Sequence, residues 1–332
     1  MKTATAIASP NIALAKYWGK REHGANLPAV PSLSVTLAGM STTTTVLFDE
    51  GLDADVLVLD GALADAASTA RVAGLLDRVR AAAGLREHAH VESANDFPTA
   101  SGLASSASAF AALAVAATEA AGLSVDATWQ SDLARRTSVS AARSLFGGFV
   151  ELRAGRVGDA HLAAEPVAPA EHWPLCVVVA VTSEGRKAIG STDGMLHTVL
   201  TSPYYPAWVT SAPALFAHIR ESILRRDLDA LGPAVEQSAL LMHAAAIGAA
   251  PGVLYWTPAT VEVLHAVRRL RASGLTAFAT IDAGPHVKVV TTPQDEAAVT
   301  SALRAVPGVL RTIETRVGPG PRVLTRGAEA KA

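Results

Sequence analysis

Cysteine is almost absent: the single Cys176 leaves no intramolecular disulfide framework and no multi-cysteine metal site to build. Aromatic residues make up only 5% of the 332 positions and charged residues 17%, with a formal net charge of -2. That balance lacks the clustered basic face that nucleic acids require, so any phosphate is bound locally. Long apolar runs are missing too. The stretch LCVVVAV at 175–181 is far below the roughly 20 residues of a bilayer span. The opening MKTATAIASPNIALAKYWGK has no uninterrupted apolar core of signal-peptide length, so a cytoplasmic protein with no membrane partner is expected. Lysine is scarce, six among 28 basic residues, which makes arginine the default cation here, yet Lys16 and Lys20 fall within five residues of one another, which suggests that compact ammonium groups matter there, with chance clustering the alternative.

What is present is a half-apolar chain long enough for two modest domains or one large one. Alternating stretches at 32–37 (SLSVTL) and 42–48 (TTTTVLF) predict strands. Val72, Leu75, Leu76 and Val79 recur at three- and four-residue intervals, predicting an amphipathic helix over 62–82. A long alanine-rich helix is predicted at about 104–121, with further helices near 210–245 and 258–273. The run LCVVVAVTS reads as a buried strand, and TAFATI and VKVVTT flank a tight DAGP turn. Three prolines within 166–174 mark the best boundary between halves. Strands mixed with helices on both sides of it predict an α+β fold of two lobes, 1–174 and 175–332, with a cleft between them.

The segment FPTASGLASSASAFAALAVAA at 97–117 sets Pro98, Gly102, Leu103, Ser105, Ser106 and Ser108 at the start of a helix of small apolar residues. Such a loop can aim backbone N–H groups and a helix N-terminus at an anion, its hydroxyls adding hydrogen bonds or a magnesium ligand. A serine-rich capped helix start is the competing reading. It is not a Walker A loop, since the GxxxxGK[ST] lysine is missing.

PTASGLASSAS resembles the P-x-x-x-G-L-x-S-S-x-S motif of the GHMP kinases. Further blocks are similar to the diphosphomevalonate decarboxylases within that superfamily: NIALAKYWGKR (11–21), NLPAVPSLSVTL (26–37), RSLFGGFVE (143–151), GSTDGM (190–195) and IDAGPHVKVV (281–290). They keep the family order across nearly the whole chain. The resemblance implies a ribosomal protein S5 domain 2-like N-terminal lobe, a ferredoxin-like C-terminal lobe and a homodimer. It also implies ATP and Mg²⁺ at 98–108, with Ser106 the hydroxyl nearest the metal. The family phosphorylates the 3-hydroxyl of mevalonate 5-diphosphate, then releases phosphate and CO₂ to give isopentenyl diphosphate.

By the same resemblance Asp282 takes or orients the proton of that hydroxyl and Arg143 holds the substrate carboxylate. Lys20 and Tyr17 contact substrate phosphates, Asn11 shapes the pocket, and Ser138, Ser140 and Ser191 contact substrate. Each has a plainer alternative: Asp282 bonding its own turn, Arg143 in an interdomain salt bridge, Ser191 capping a helix. Trp18 reads better as core. The chain departs from the family at Thr137 and Val139, which replace glycines, and at His286, which stands where Asn is usual. No HExxH-like histidine spacing is present, so no protein-built metal site is expected. Phosphomevalonate decarboxylase, mevalonate 3-kinase and a non-catalytic nucleotide-binding homologue are the alternatives.

Overall fold

Alternation governs the first sheet of the computed structural model, which describes residues 2–22, 24–97, 105–185 and 187–327. In the strand Thr42–Asp49 every second residue is buried, as period-two geometry requires of a sheet with one covered face. It pairs antiparallel with Lys2–Ala8 on one side and His88–Asn95 on the other. Val56–Leu59 adds in parallel to His88–Asn95, and Ala62–Leu63 and Arg322–Arg326 form the two edges of a six-stranded sheet. Over it lies the helix Ser105–Ala120, apolar nearly all round and therefore buried nearly all round. Its alanines let it settle close against Ala4, Ala6, Val46 and Val91, while the helix Ala66–Ala83 adds Leu75, Leu76 and Val79 to the same core.

A second sheet orders Glu165–Ala168, Phe149–Leu152, Ser32–Thr36 and Asn11–Ala15. A third orders Ala277–Ile281, Val287–Thr291, Cys176–Val181 and Arg311–Arg316. The unbroken apolar run of Cys176–Val181 follows from its place between two layers. Val177, Val179 and Val181 face Ile219, Ile223, Leu231 and Val235 of the helices Tyr205–Arg225 and Leu228–Ile247, whereas Val178 and Ala180 face Val263, Val267, Val299 and Leu303. A strand covered on both faces has no polar side to show. The chain is thus mixed α+β, as expected, and Cys176 is a buried free thiol.

The structure differs from the sequence reading at several joints. The helix predicted from 62 begins at Ala66, because Asp65 accepts from the Ser68 N–H as an N-cap, and Ala62–Leu63 instead pair as a short strand. The helical region predicted over 210–245 is two helices, divided where Arg226 takes a φ of 57° and Asp227 caps the second of them. The proline-rich segment forms an edge strand over Glu165–Ala168 and a single 3-10 turn over Ala170–His172, since proline lacks the N–H of a central strand.

Candidate functional site

Between these sheets lies a cavity of about 680 Å³. Its walls come from the end of Asn11–Ala15 and the residues after it, the 3-10 helix Val139–Leu145, the N-terminus of Ser105–Ala120, the N-terminus of Ser191–Thr201 and the turn after Ala277–Ile281.

Strand Asn11–Ala15 shifts register against Ser32–Thr36 between Ala13 and Ala15, and the chain then leaves the sheet. Its first residue beyond, Lys16, is held by its N–H donating to Ser238 Oγ (2.9 Å). The Lys16 ammonium donates to the Ala13 carbonyl (2.8 Å) and to Asp282 Oδ1 (2.6 Å). Trp18 is core: its ring meets Tyr255 edge-on and its carbonyl accepts from Trp208 Nε1. Gly19 takes a φ of +96°, and a Cβ there would lie 2.1 Å from the Tyr205 hydroxyl, so only glycine can turn the chain to present Lys20 to the cavity.

Asp282 sits in a tight turn, the Gly284 N–H donating to its carbonyl at 2.7 Å. Its side chain nevertheless does not serve the turn. It lies between Lys16 and Lys288, whose ammonium is 3.2 Å from Oδ2, and it is the most open of the three, at 23% exposure against 1% and 0%. Burial alone would raise its pKa, but the two ammonium groups outweigh that and hold the carboxyl far below its usual range. Burial lowers Lys16 to about 8, opposed by the Asp282 charge.

Arg143 is buried in Val139–Leu145, its Nε donating to Ser34 Oγ (3.0 Å) and Nη1 to Ser32 Oγ (2.6 Å). Among the described residues no carboxylate pairs with it within salt-bridge distance, and burial lowers its pKa to about 10. Asn11 Nδ2 donates to the Ser140 carbonyl and to Ser144 Oγ, tying the second sheet to this helix. Tyr17 lines the cavity, its buried hydroxyl without a partner among the described residues and its pKa raised by burial. Ser138 and Ser140 also line it, their hydroxyls 3.2 Å apart. Neither Thr137 nor Val139 is among the described positive-φ residues, and Val139 packs on Leu27, Val150 and Leu152, so β-branched side chains fit these positions without left-handed strain.

Ser105 and Ser106 face the cavity at the helix start, opposite Arg71, whose guanidinium lies 4.9 Å from the Phe110 ring. Ser108 does not line it. Its hydroxyl lies 2.6 Å from Thr42 Oγ and donates to the Ser105 carbonyl at 3.2 Å, which locks the first turn of the helix to the sheet. Pro98, Gly102 and Leu103 lie outside the described residues. Ser191 lines the cavity as the first residue of its helix, with Gly190 as the cap. His286 is buried away from it, accepting from the Thr182 N–H, and burial lowers its pKa to about 3.

The sequence reading singled out Lys16 beside Lys20 but gave it no role, and it missed Arg71, Lys187 and Lys288. Lys187 lines the cavity and donates to the Ala283 carbonyl at 3.1 Å. The lining therefore carries five cations, Lys16, Lys20, Arg71, Arg143 and Lys187, against the carboxylates of Asp193 and Asp282. In a chain of net charge -2, that concentrates positive potential where a polyanion would lie. Sharing Arg71, Ser105 and Ser106 with this cavity is a smaller one of about 170 Å³, lined by Leu57, Val72, Val91 and Phe110 with Ser93 and Asn95 at hand. Among the described residues no group of three His, Cys, Asp or Glu is arranged to hold a metal.

Residues 8–163 match the family described as the diphosphomevalonate decarboxylase-like N-terminal domain, and 177–317 the mevalonate 5-diphosphate decarboxylase C-terminal domain. Diphosphomevalonate decarboxylases of Candida albicans and of Homo sapiens are each 33% identical, over 97% and 98% of this chain and 98% and 94% of their own lengths. The solved mevalonate diphosphate decarboxylase of Staphylococcus aureus superposes with a TM-score of 0.92 at 33% identity, covering 97% of this chain and 98% of that one. A protein designated MDDEF, solved in complex with MVAPP, AMPPCP and magnesium, superposes at 0.91 with 39% identity over 97% and 98%. The chain belongs to the diphosphomevalonate decarboxylase family.

Proposed function

We propose that the chain converts mevalonate 5-diphosphate and ATP to isopentenyl diphosphate, ADP, phosphate and CO₂. The observation that carries this is the single cavity in which a carboxylate held ionised, Asp282, faces space ringed by Lys20, Arg143 and the serines of two helix starts. Two polyanions and a carboxylate need that much positive charge if they are to sit together.

In the reaction the 3-hydroxyl oxygen attacks the γ-phosphorus, and the bond to the ADP oxygen breaks with its electron pair. Departure of phosphate then takes the C3–O bonding pair, and cleavage of the C1–C2 bond supplies the pair for the new C2–C3 double bond as CO₂ leaves. Asp282 orients the hydroxyl by accepting its hydrogen bond. Its depressed proton affinity suits an orienting acceptor better than a resting place for the proton. Arg143, fixed by Ser32 and Ser34, offers the rest of its fork to the substrate carboxylate. Lys20, Tyr17, Ser138, Ser140 and Ser191 receive the substrate diphosphate, and Asn11 holds the floor by its bonds to Ser140 and Ser144.

Ser105 and Ser106 receive the nucleotide phosphates, while Ser108 braces the first turn of their helix from behind. The smaller apolar cavity accommodates the nucleotide base. Mg²⁺ fits as a metal carried on phosphate oxygens, since the donors nearby are hydroxyls rather than a carboxylate cluster, and Ser106 is its protein ligand. When bound it neutralises phosphate charge.

A division into lobes at 174 and 175 is supported by the two family matches, which end and begin on either side of it. Among the described residues no helix is long and apolar enough to cross a membrane. Homodimerisation rests on the resemblance and is checked by light scattering.

The test is to supply Mg-ATP with mevalonate, its 5-phosphate or its 5-diphosphate and measure ADP, phosphate and CO₂. One equivalent of each from the 5-diphosphate alone is expected. ADP without CO₂ would make the chain a kinase, and CO₂ from the 5-phosphate would reassign the substrate.

A further inference from the structure

Lys288 stands where a lysine has no ordinary reason to be. It lies in the strand Val287–Thr291, every residue of which is buried, in the interior of the third sheet between Val179 and Thr280. Alternation sends Val287 and Val289 to one core, while Val290 packs in the other, with Ile12 and Leu14. Lys288 shares the side of Val290, facing the strand that leads to Lys16. Full burial of an ammonium group costs several kcal/mol unless it is paired. Neutralising one aspartate needs one cation, and Lys16 already supplies it at 2.6 Å. Two ammonium groups thus flank one carboxylate, and the Lys288 charge disfavours that of Lys16.

We infer that Lys288 is a positioning residue for the reaction: Lys16 hydrogen-bonds Oδ1 of Asp282 and Lys288 forms an ion pair with Oδ2, which has no hydrogen-bond donor among the described residues, so that the carboxylate meets the substrate hydroxyl in one orientation and as an acceptor. Lys288 is not among the cavity-lining residues and acts only through Asp282. The alcohol proton then ends on an oxygen of the transferred phosphoryl group after the new O–P bond has formed and the ADP oxygen has left. The other groups that face Asp282 are Arg143 from the 3-10 helix, Lys187 from the segment after Cys176–Val181 and His243 from Leu228–Ile247, with Tyr17 beside Arg143 and His286 beside Lys288. His243 is kept neutral by burial, its pKa lowered to about 3. None of these replaces the contact at Oδ2.

This inference rests on the decarboxylase reading, and its test separates the two. The dependence of kcat/KM on pH is measured from 6 to 10 at saturating Mg-ATP for the wild type, Lys288→Met and Lys288→Gln. Met fills the space without charge, and Gln keeps a polar end if Met does not fold. Asp282 is held far below this window, whereas Lys16, lowered to about 8 in part by the Lys288 charge, titrates inside it. Removing one of two neighbouring cations raises the pKa of the other, so the variants are expected to show an alkaline limb displaced upward by about one pH unit, with the plateau of kcat about tenfold lower. KM for ATP is expected to stay within about twofold, because Lys288 does not line the cavity. An alkaline limb unmoved in the folded variants, even with kcat lowered at every pH, would show Lys288 to be structural only and overturn the inference. Wild type releasing no CO₂ would overturn the decarboxylase reading instead.

Discussion

The two ends of the cavity are built differently. At the sealed end Lys16 and Arg143 are tied to Ala13, Ser32 and Ser34 of the second sheet, and Asp282 lies between Lys16 and Lys288. At the open end Lys20, Arg71, Ser105 and Ser106 reach into the cavity from loops and helix starts, and burial is only partial for Lys20 and Arg71. The sealed end is arranged before any ligand arrives, which is how electrostatic stabilisation gains its strength. The open end gathers charge without committing geometry, which suits groups that must bind and leave.

Substitutions should separate these two characters. Asp282→Asn removes the charge at the sealed end while keeping the shape; kcat should fall about 10³-fold with the Kd for ATP within a few-fold of wild type, as read by nucleotide titration. Unchanged turnover would dissolve the distinction between the ends.

Lys16 sharpens it by pH. With a pKa lowered to about 8, its ammonium is lost as pH rises above that value, and Asp282 loses its nearer clamp. The profile of kcat/KM, which reports free enzyme, should therefore fall about tenfold per unit well above pH 8.

At the open end the contrast lies between two serines of one turn. Ser106→Ala should raise KM for ATP about tenfold with little change in Tm. Ser108→Ala should leave that KM within about twofold and cost about 1 kcal/mol of stability, measured by denaturant unfolding, because its bonds to Thr42 and the Ser105 carbonyl are internal.

A further effect concerns stability alone. His243 and His286 have folded pKa values near 3, whereas in the unfolded chain they take up protons near 6.5. The unfolded state thus binds more protons between those values, and Tm should decline steadily as pH is lowered from about 6.5. A flat Tm over that window would mean the two rings are not held neutral.

Much of the sealed end was legible in the sequence, for reasons tied to particular residues. Asp282 before Ala-Gly-Pro and Arg143 shortly before Phe-Gly-Gly sit in local patterns that fix them near strand ends. Lys16 stood out by its closeness to Lys20 without a role, and Lys288 did not stand out, although a signal existed: in a chain with six lysines, four of them, Lys16, Lys20, Lys187 and Lys288, converge on this cavity or on its carboxylate. A lysine inside an apolar strand, VKVVT, is the sharpest form of that signal. Arg71 was illegible, because nothing in its own helix distinguishes it from a solvated arginine; only packing against Phe110 brings it inward. Ser108 belonged to the right motif, but helical rotation from Ser105 to Ser108 carries it to the sheet side, a distinction that spacing alone does not make. The hinge at Arg226 escaped because an arginine carries no signature of left-handed backbone.

The edge strand Arg322–Arg326 lies against Lys2–Ala8, its neighbour in space but almost the whole described chain away in sequence. While the chain is being made, the first sheet therefore has one flank unclothed, its amide and carbonyl row open to any passing strand until Arg322–Arg326 delivers the cover. Folding of this sheet waits for that strand, so products shortened ahead of Arg322 should be captured by chaperones or cling to one another even when every catalytic side chain has already been made.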